Sequence, residues 1–186
     1  MFTDITRAAS LWEHNPAAMR DATMAHNDLV RSLIARHGGY EAGTGRERNT
    51  GEGSFCVVFT RAHDALRWCA DVQRALLTVV WPEGLLNHPG AAEELWDGGY
   101  DERVVFRGLR VRMGVHAGHP RVVRDAMTRR VEYVGSTVNA AARMTALAHG
   151  GQVVVSQQAR DKLATEAPNT PGQSDQARAE TENHNK

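Results

Sequence analysis

A carboxylate stands close to the start of the chain, in the segment Phe2-Thr3-Asp4-Ile5, which is typical of the end of a β-strand. A carboxylate at a strand end can hold a cation beside a phosphate, while the backbone N–H groups of the following bend face the phosphate oxygens. The alternative is an aspartate that only forms a turn. This segment alone does not decide between the two interpretations.

A second candidate lies on a predicted helix that is capped by Ser136 or Thr137 and runs to about Ala148. Asn139 and Arg143 are four positions apart, so both point from one face of that helix. The arginine could bond a phosphate with two N–H groups while the asparagine holds a sugar. The alternative is a solvated surface pair.

Two glycine-containing segments complete the candidates. Gly51-Glu52-Gly53-Ser54-Phe55 leads into an apolar strand and is, by itself, an ordinary tight hairpin. Val115-His116-Ala117-Gly118 leads out of a strand into a loop of small residues. A metal pair of His116 and His119 is disfavoured, because the spacing is poor and no third ligand is evident.

The elements that must position these residues follow from periodicity. Asn15-Pro16 predicts a helix start, and the strand Leu109 to Val115 alternates apolar and other residues. The predicted order is strand, helix, strand, strand, helix, strand, followed by strand, helix, strand. We therefore predict an α+β fold with a ferredoxin-like βαββαβ core and an additional strand-helix-strand unit. Such a sheet has helices on one face and leaves the other face free. Residues 82–106 are predicted to form an irregular insertion, and residues 119–130 are polar and rich in arginine, ahead of a short predicted strand, Val131 to Val134.

Composition limits the function. The 186 residues suit one domain, with 41% apolar residues and 22 basic against 22 acidic residues. This balance gives no general attraction to nucleic acid or to an anionic membrane. An RNA-binding sheet is also disfavoured, because aromatic residues make up only 6% of the chain and no aromatic pair stands on a central strand.

Location and domain boundaries are predicted from the same sequence. Cys56 and Cys69 lie in apolar segments, so we expect reduced core residues and a cytoplasmic protein. The longest apolar stretch is far too short to cross a bilayer, although the chain could be the cytoplasmic part of a larger membrane protein. We predict one domain over residues 1–163, truncated at both ends, and a disordered polar tail over residues 164–186.

In combination and in order, several segments resemble the catalytic domain of class III nucleotidyl cyclases, the adenylate/guanylate cyclase family. The resemblance covers residues 1–163. Within this family the chain is most similar to trypanosomatid-type receptor adenylate cyclases. The segments that carry it are Phe2-Thr3-Asp4-Ile5, Gly39-Tyr40-Glu41, Ser54-Phe55-Cys56-Val57-Val58-Phe59, residues 108–118, Val138-Asn139-Ala140-Ala141-Ala142-Arg143 and Gly150-Gly151-Gln152-Val153.

The resemblance implies a mechanism. Two divalent cations, Mg²⁺ or Mn²⁺, activate the 3′-hydroxyl of a nucleoside triphosphate and hold its α-phosphate, and pyrophosphate leaves. The site lies between two cyclase domains, so the implied partners are ATP and a second cyclase domain in a homodimer or heterodimer. One domain supplies the metals, and the other supplies the base-reading residues and the Asn/Arg pair.

The resemblance also assigns roles to individual residues. Asp4 matches a metal-binding aspartate, and Ile5 matches a backbone carbonyl ligand. Glu132 stands where the family reads the adenine amino group, and Asn139 and Arg143 match the Asn/Arg pair. The phosphate-facing turn is matched by Thr6, Arg7, Ala8 and Ala9.

Parts of the family pattern are missing. The second metal aspartate falls on Gly53, which has no side chain to ligate a metal, so Glu52 is the remaining candidate. The base-reading lysine belongs between Gly43 and Asn49, where the chain has no lysine. A further lysine, which binds the triphosphate in the family, also has no clear match.

Two functions from different classes follow. The first is an adenylate cyclase that converts ATP to cyclic AMP, with activity in doubt because of the missing ligands. The alternative is a catalytically degenerate domain that pairs with an intact cyclase and contributes Asn139 and Arg143 to its site.

Overall fold

The structure is a computed structural model that describes residues 1–42, 53–98, 102–124, 126–127 and 130–166. Its elements, in chain order, are β1 (Phe2–Ile5), α1 (Ala8–His14), α2 (Pro16–Arg36), β2 (Tyr40–Ala42), β3 (Phe55–Val58), α3 (Ala62–Leu76), α4 (Glu83–Leu86), β4 (Glu94–Asp97), β5 (Glu102–Phe106), β6 (Val111–Val115), β7 (Arg121–Arg124), β8 (Val131–Val134), α5 (Ser136–Leu147), β9 (Val153–Val155) and α6 (Gln157–Thr165).

The central sheet has the strand order β2-β3-β1-β6-β9. Strands β2, β3, β1 and β6 are antiparallel to their neighbours, and β9 adds to β6 in parallel. With α2 between β1 and β2, and α3 between β3 and β6, this is the predicted βαββαβ core. The predicted α+β fold class is confirmed.

One face of the sheet packs on α2 and α3. Ile5 in β1 is 2% exposed, and Val111 and Met113 in β6 are fully buried on the same side. Alternate side chains of a strand point to opposite faces, so these positions place the intervening residues on the second face. Helix α2 begins as predicted, because Asn15 Oδ1 accepts a hydrogen bond of 3.0 Å from the Ala18 amide.

The second face is partly covered by α5, which corrects the prediction of a face without helices. A Cβ atom at Gly114 in β6 would lie 2.2 Å from the Thr145 amide nitrogen. Only glycine permits this close approach between strand and helix. The Thr145 hydroxyl donates to the carbonyls of Ala141, at 3.1 Å, and Phe2, at 3.2 Å.

The predicted irregular insertion at residues 82–106 contains regular structure. It forms α4 and then a two-stranded sheet of β4 and β5. Leu85 and Ala91 anchor the insertion in the core. Leu95 and Trp96 are 52% and 59% exposed. Because apolar side chains of these strands face solvent, they lack the alternation that signals a strand.

A second hairpin, of β7 and β8, was predicted only in its β8 half. All four residues of β7 are exposed, so burial leaves no pattern there. The hairpin reaches strand β2, where the Tyr40 hydroxyl lies 3.2 Å from both the amide nitrogen and the carbonyl oxygen of Val131. The rings of Tyr40 and Tyr133 meet edge to face at 6.1 Å.

Two helix ends differ from the sequence prediction. Helix α5 starts after Gly135 and has no side-chain cap, so the expected capping by Ser136 or Thr137 is wrong. Helix α6 continues to Thr165, beyond the proposed boundary at residue 163. Glu166 then accepts hydrogen bonds of 3.1 Å from the amides of Ala62 and His63 at the start of α3. Residues 167–186 lie outside the described part of the chain.

Candidate active site

Asp4 lies on the second face of the sheet, directly opposite Arg112 in the antiparallel pairing of β1 and β6. Arg112 donates to Asp4 Oδ2 from Nε, at 2.9 Å, and from Nη2, at 2.5 Å. Ser54 Oγ donates to Asp4 Oδ1 at 3.0 Å. Both carboxylate oxygens are therefore engaged, and the carboxylate already has a cationic partner although its side chain is 30% exposed.

The backbone conformation and surroundings of Gly53 disfavour a metal-binding carboxylate at this position. Its φ of +74° lies in the left-handed region, and a Cβ atom there would lie 2.2 Å from Ile5 Cδ1. A side chain at residue 53 would thus be directed into the core, where Ile5 is buried, and away from Asp4 on the second face. The other candidate, Glu52, lies outside the described residues, as does the connection from Gly43 to Asn49.

Among the residues that the structure describes, no group of three or more His, Cys, Asp or Glu side chains could hold a metal ion. Asp4 is ion-paired, and Ile5 is 2% exposed, so only its backbone carbonyl is a candidate ligand. A two-metal centre needs several oxygen ligands around each ion. The described donor set does not fit such a centre.

The turn after β1 is held against β6. The amide and the hydroxyl of Thr6 both donate to the carbonyl of Arg110, at 2.9 and 3.0 Å. Arg7 has a left-handed φ of +57°, and α1 begins at the next residue, Ala8. Ala8 and Ala9 therefore stand in the first turn of α1, where backbone N–H groups have no partner within the helix.

Asn139 and Arg143 share one face of α5, as predicted, and both are exposed. Ala141 and Thr145 are buried on the opposite face, against the sheet. The Asn/Arg pair therefore projects away from the sheet face that carries Asp4. Within one chain, these two parts of the predicted set do not face each other.

Glu132 lies in β8, where it pairs in register with Val123 of β7. It is partly buried, on the hairpin that Tyr40 fastens to β2. Glu132 therefore lies on the two-stranded β7–β8 sheet, whereas the Asp4–Arg112 pair lies on the central sheet.

A family model described as the adenylate and guanylate cyclase catalytic domain matches residues 1–182. The chain belongs to this family.

Known proteins support the assignment. A protein of Acanthamoeba polyphaga mimivirus, named as a serine/threonine-protein kinase/receptor, is 48% identical over 164 residues, which cover 88% of this chain and 10% of that protein. An adenylate cyclase of Neurospora crassa is 41% identical over 156 residues, which cover 84% of this chain and 6% of that protein. The chain thus spans a tenth or less of the length of these two relatives.

A solved adenylate cyclase structure from Trypanosoma brucei, in its monomeric state, has a TM-score of 0.69 to this chain. It is 28% identical, and the match covers 92% of this chain and 82% of that structure. This agrees with the resemblance to trypanosomatid-type cyclases. Members of the family use divalent metal ions. The donor set described around Asp4 is where this cyclase domain differs from that pattern.

Sequence reasoning missed two residues at the site of this cyclase domain. Arg112 and Ser54 were not recognised as partners of Asp4. The alternation of Leu109 to Val115 does place Arg112 on the face opposite the core, which is a usable signal. No local signal reports that Asp4, 108 positions away, stands directly across from it.

Two histidines of the cyclase domain, His26 and His116, have pKa values that burial lowers. His26 on α2 is fully buried, and burial lowers its pKa to about 4. Its Nδ1 lies 2.9 Å from Asn27 Oδ1, while Nε2 has no hydrogen-bond partner among the residues that the structure describes. His116 contacts Ser156 Oγ at 3.0 Å, and its pKa is lowered by burial first and then by the charges of the N-terminus and Arg143.

A cavity of about 350 Å³ lies at the end of the sheet away from Asp4. Its walls include Met1, Val58, His116, Tyr133 and Lys162. None of the predicted site residues that the structure describes lines it, so we do not assign it to catalysis.

Among the described helices of the cyclase domain, none has the length and apolar character of a membrane span.

Proposed function

We propose that this chain is a cyclase domain that acts on ATP and forms cyclic AMP and pyrophosphate. The 3′-oxygen of ATP bonds to the α-phosphorus, the bond from that phosphorus to the β-phosphate oxygen breaks, and the hydroxyl proton passes to solvent. The supporting observation is the outward position of Asn139 and Arg143 on α5, in a chain of the cyclase family.

The outward Asn/Arg pair supports a site shared between two domains. Arg143 would stabilise the charge that develops on the phosphate, and Asn139 would hold the sugar. Neither faces the sheet that carries Asp4, so each would act on a nucleotide bound to a second domain. We propose a homodimer, or a heterodimer with another cyclase domain, as the functional unit.

Adenine is the proposed base. Glu132 carries an acceptor-only side chain when ionised, which suits the adenine amino group, a donor, better than the guanine carbonyl. Thr6, Arg7, Ala8 and Ala9 are proposed to face the triphosphate. The Neurospora crassa relative is named an adenylate cyclase, which supports the same choice.

We propose that this chain shares the family's requirement for two cations, Mg²⁺ or Mn²⁺. Asp4, the Ile5 carbonyl and Glu52 are the candidate ligands. Because Arg112 already neutralises Asp4 and Gly53 supplies no carboxylate, we expect the purified chain alone to turn over slowly.

We also propose a cytoplasmic location, since the buried Cys56 and Cys69 form no disulfide.

The second candidate function is favoured by the same ion pair. A chain whose metal carboxylate is bound to Arg112 could act as the non-catalytic half of a pair. It would lend Asn139 and Arg143 to the metal-bearing half of an intact cyclase domain. This partner function needs neither Asp4 nor Glu52.

The decisive experiment measures cyclic AMP from ATP with Mn²⁺, using the purified chain, an Asp4→Ala variant, and each mixed with an intact cyclase domain. Turnover by the chain alone that is lost in Asp4→Ala supports the enzyme. Turnover only in the mixture, lost in Asn139→Ala but kept in Asp4→Ala, supports the partner function. A folded chain that is inactive in every mixture excludes both.

A further inference from the structure

The cavity of about 350 Å³ at the start of strand β1, here named the strand slot, is bounded on two sides by residues 56–60 and 115–120. The sheet order places β1 between β3 and β6. Strand β1 begins at Phe2, which pairs with Cys56 of β3 and with Gly114 of β6. Beyond that point β3 continues to Val58 and β6 to Val115, with no strand between them in the part of the chain that the structure describes. Because β3 and β6 are two positions apart in the sheet, about 10 Å, one extended chain fits between their ends.

On the β3 side, a backbone position points into the strand slot. Met1 and Val57 exchange two hydrogen bonds, from the Met1 amine to the Val57 carbonyl at 2.9 Å and from the Val57 amide to the Met1 carbonyl at 3.0 Å. Such pairs alternate along antiparallel strands, so Phe59 is the next position whose N–H and C=O groups turn the same way. Phe59 makes no backbone–backbone hydrogen bond to a residue that the structure describes. Its ring packs on that of Trp68 at 5.7 Å, which fixes this wall.

The β6 side offers a matching backbone position. The Thr6 amide donates to the Arg110 carbonyl at 2.9 Å, and in the β1–β6 register the same alternation turns the N–H and C=O of His116 toward the slot. Within the described ranges, His116 has no backbone–backbone hydrogen bond either. Its ring is held by a contact of 3.0 Å with Ser156 Oγ. Both walls therefore present an N–H donor and a C=O acceptor to a chain that enters.

Small side chains cover the strand slot on both faces of the sheet. Ala65 of α3 and Ala159 of α6 are buried on the core face, and Ala141 of α5 is buried on the second face. Side chains of an extended chain alternate between two faces. An inserted chain can therefore place apolar side chains against alanines on either side.

The lining of the strand slot favours a negatively charged occupant. Arg61 and Lys162 line it together with His119, and Glu166 is the only acidic residue among its described lining residues. Two amides at the start of α3 already donate to the Glu166 carboxylate, each at 3.1 Å. Complementary charge steers association and discriminates between partners, so acidic residues in the occupant are favoured over basic ones.

We propose that the strand slot binds a short extended peptide of a partner protein, apolar in its centre and acidic at its ends. The peptide continues the line of β1, antiparallel to β3 and β6, and its backbone pairs with Phe59 on one side and His116 on the other. This is strand addition, in which main-chain hydrogen bonds supply affinity and side-chain pockets supply specificity. Residues 167–186 of the chain contain no Val, Leu, Ile, Met, Phe, Tyr or Trp, so they are a poor match for the apolar centre.

The test uses the isotope-labelled full chain and the acetylated, amidated pentapeptide Glu-Val-Thr-Val-Glu, with neither nucleotide nor metal. We expect saturable binding in calorimetry, and slower hydrogen exchange of the Phe59 and His116 amides in NMR spectra of the complex. The same peptide with N-methyl groups on its central amides cannot donate to the walls and should bind about tenfold more weakly. The absence of saturable binding, equal affinity for the N-methylated peptide, or unchanged exchange of both amides overturns the proposal.

A charge reversal locates the acidic ends of the peptide. Lys162→Glu changes an exposed lining residue of α6 and should weaken binding of Glu-Val-Thr-Val-Glu by about fivefold, while strengthening binding of Lys-Val-Thr-Val-Lys by a similar factor. Arg160→Glu is the matched control, because Arg160 is exposed on the same helix and does not line the slot. Equal effects of the two substitutions on both peptides contradict the proposed site.

The same exchange measurement distinguishes other occupants of the strand slot. If residues 167–186 fill it, the Phe59 and His116 amides exchange slowly in the chain alone, at every protein concentration. If a second copy fills it, slow exchange without peptide appears only as the protein concentration rises. Either result overturns the proposal of a partner peptide. Because no step involves ATP, the outcome is independent of whether the chain forms cyclic AMP.

Discussion

Asp4 and Arg112 are direct cross-strand partners, with Arg112 Nε 2.9 Å from Asp4 Oδ2. The pair neutralises the one carboxylate that the family pattern assigns to metal in the described part of this chain. Cross-strand ion pairs at partly exposed positions contribute little to stability. Its main consequence is therefore electrostatic, because a cation approaching Asp4 meets the positive charge of Arg112.

Replacing Arg112 should increase metal binding at Asp4. In Arg112→Gln the competing charge is gone, so we expect Mn²⁺ affinity to rise by about tenfold while stability changes by roughly 1 kcal/mol or less. Calorimetric titration with Mn²⁺ measures the first quantity, and urea unfolding measures the second. The double variant Arg112→Gln/Asp4→Asn is the control and should lose the gain. Equal Mn²⁺ affinity in the single variant and the unmodified chain would contradict the prediction.

A second carboxylate should be tolerated at residue 54 but not at residue 53. Gly53→Asp introduces a side chain against Ile5 at a left-handed backbone position, so we expect a loss of about 1 to 3 kcal/mol and no gain in metal binding. Ser54 already contacts Asp4, so Ser54→Asp should create a pair of carboxylates. Its melting temperature should then rise with added Mn²⁺.

The neutral variant Ser54→Asn is the control for this experiment, since it keeps a similar size without charge. It should melt at the same temperature with and without Mn²⁺. A Mn²⁺ response in Gly53→Asp, or none in Ser54→Asp, would show that the geometry around Asp4 differs from the one described.

Substitution of Asn139 or Arg143 should separate function from folding. Both side chains are exposed on the outer face of α5, so Asn139→Ala and Arg143→Ala should change the free energy of unfolding by less than about 0.5 kcal/mol. Each should remove most of the cyclic AMP formed in a mixture with an intact cyclase domain. Arg160→Ala is the matched surface control and should retain activity. A large loss of stability in Arg143→Ala would mean that the residue packs against the fold.

The buried His26 predicts a pH dependence of stability. Its pKa is about 4 in the folded chain and 6.5 as the ordinary value, because burial disfavours the charged ring. The unfolded chain therefore binds more protons between these values, and stability falls as pH drops from about 6.5 toward about 4. At about 1.4 kcal/mol per pH unit, the full effect is on the order of 3 kcal/mol.

Urea unfolding at a series of pH values measures this effect. In His26→Leu the free energy of unfolding should change less steeply with pH over that window than in the unmodified chain. The difference in slope should be up to that of one bound proton, about 1.4 kcal/mol per pH unit. The lowered pKa of His116 acts in the same direction, so a residual slope is expected. Identical slopes in the two proteins would show that His26 titrates normally in the folded state.

Much of the fold could be predicted because its signals are local. Asn15 and Pro16 announce the start of α2, and the alternation from Leu109 to Val115 marks β6 with its arginines on the face away from the core. The strand and helix order then restricts the sheet to a βαββαβ arrangement. The spacing of Asn139 and Arg143 likewise determines that they share a helix face, whatever the helix packs against.

Other features were decided only by the tertiary structure. The β4–β5 hairpin and β7 expose apolar side chains to solvent, so burial leaves no period to read. Gly53 has a left-handed φ, and a Cβ atom there would lie 2.2 Å from Ile5 Cδ1 and 3.2 Å from His26 Nδ1, so this packing brings together three segments that are distant in the sequence. The pairing of Asp4 with Arg112 depends on strand register across more than a hundred residues. Periodicity reports which face of an element is buried, but register is set by the summed packing of all strands, which no local segment contains.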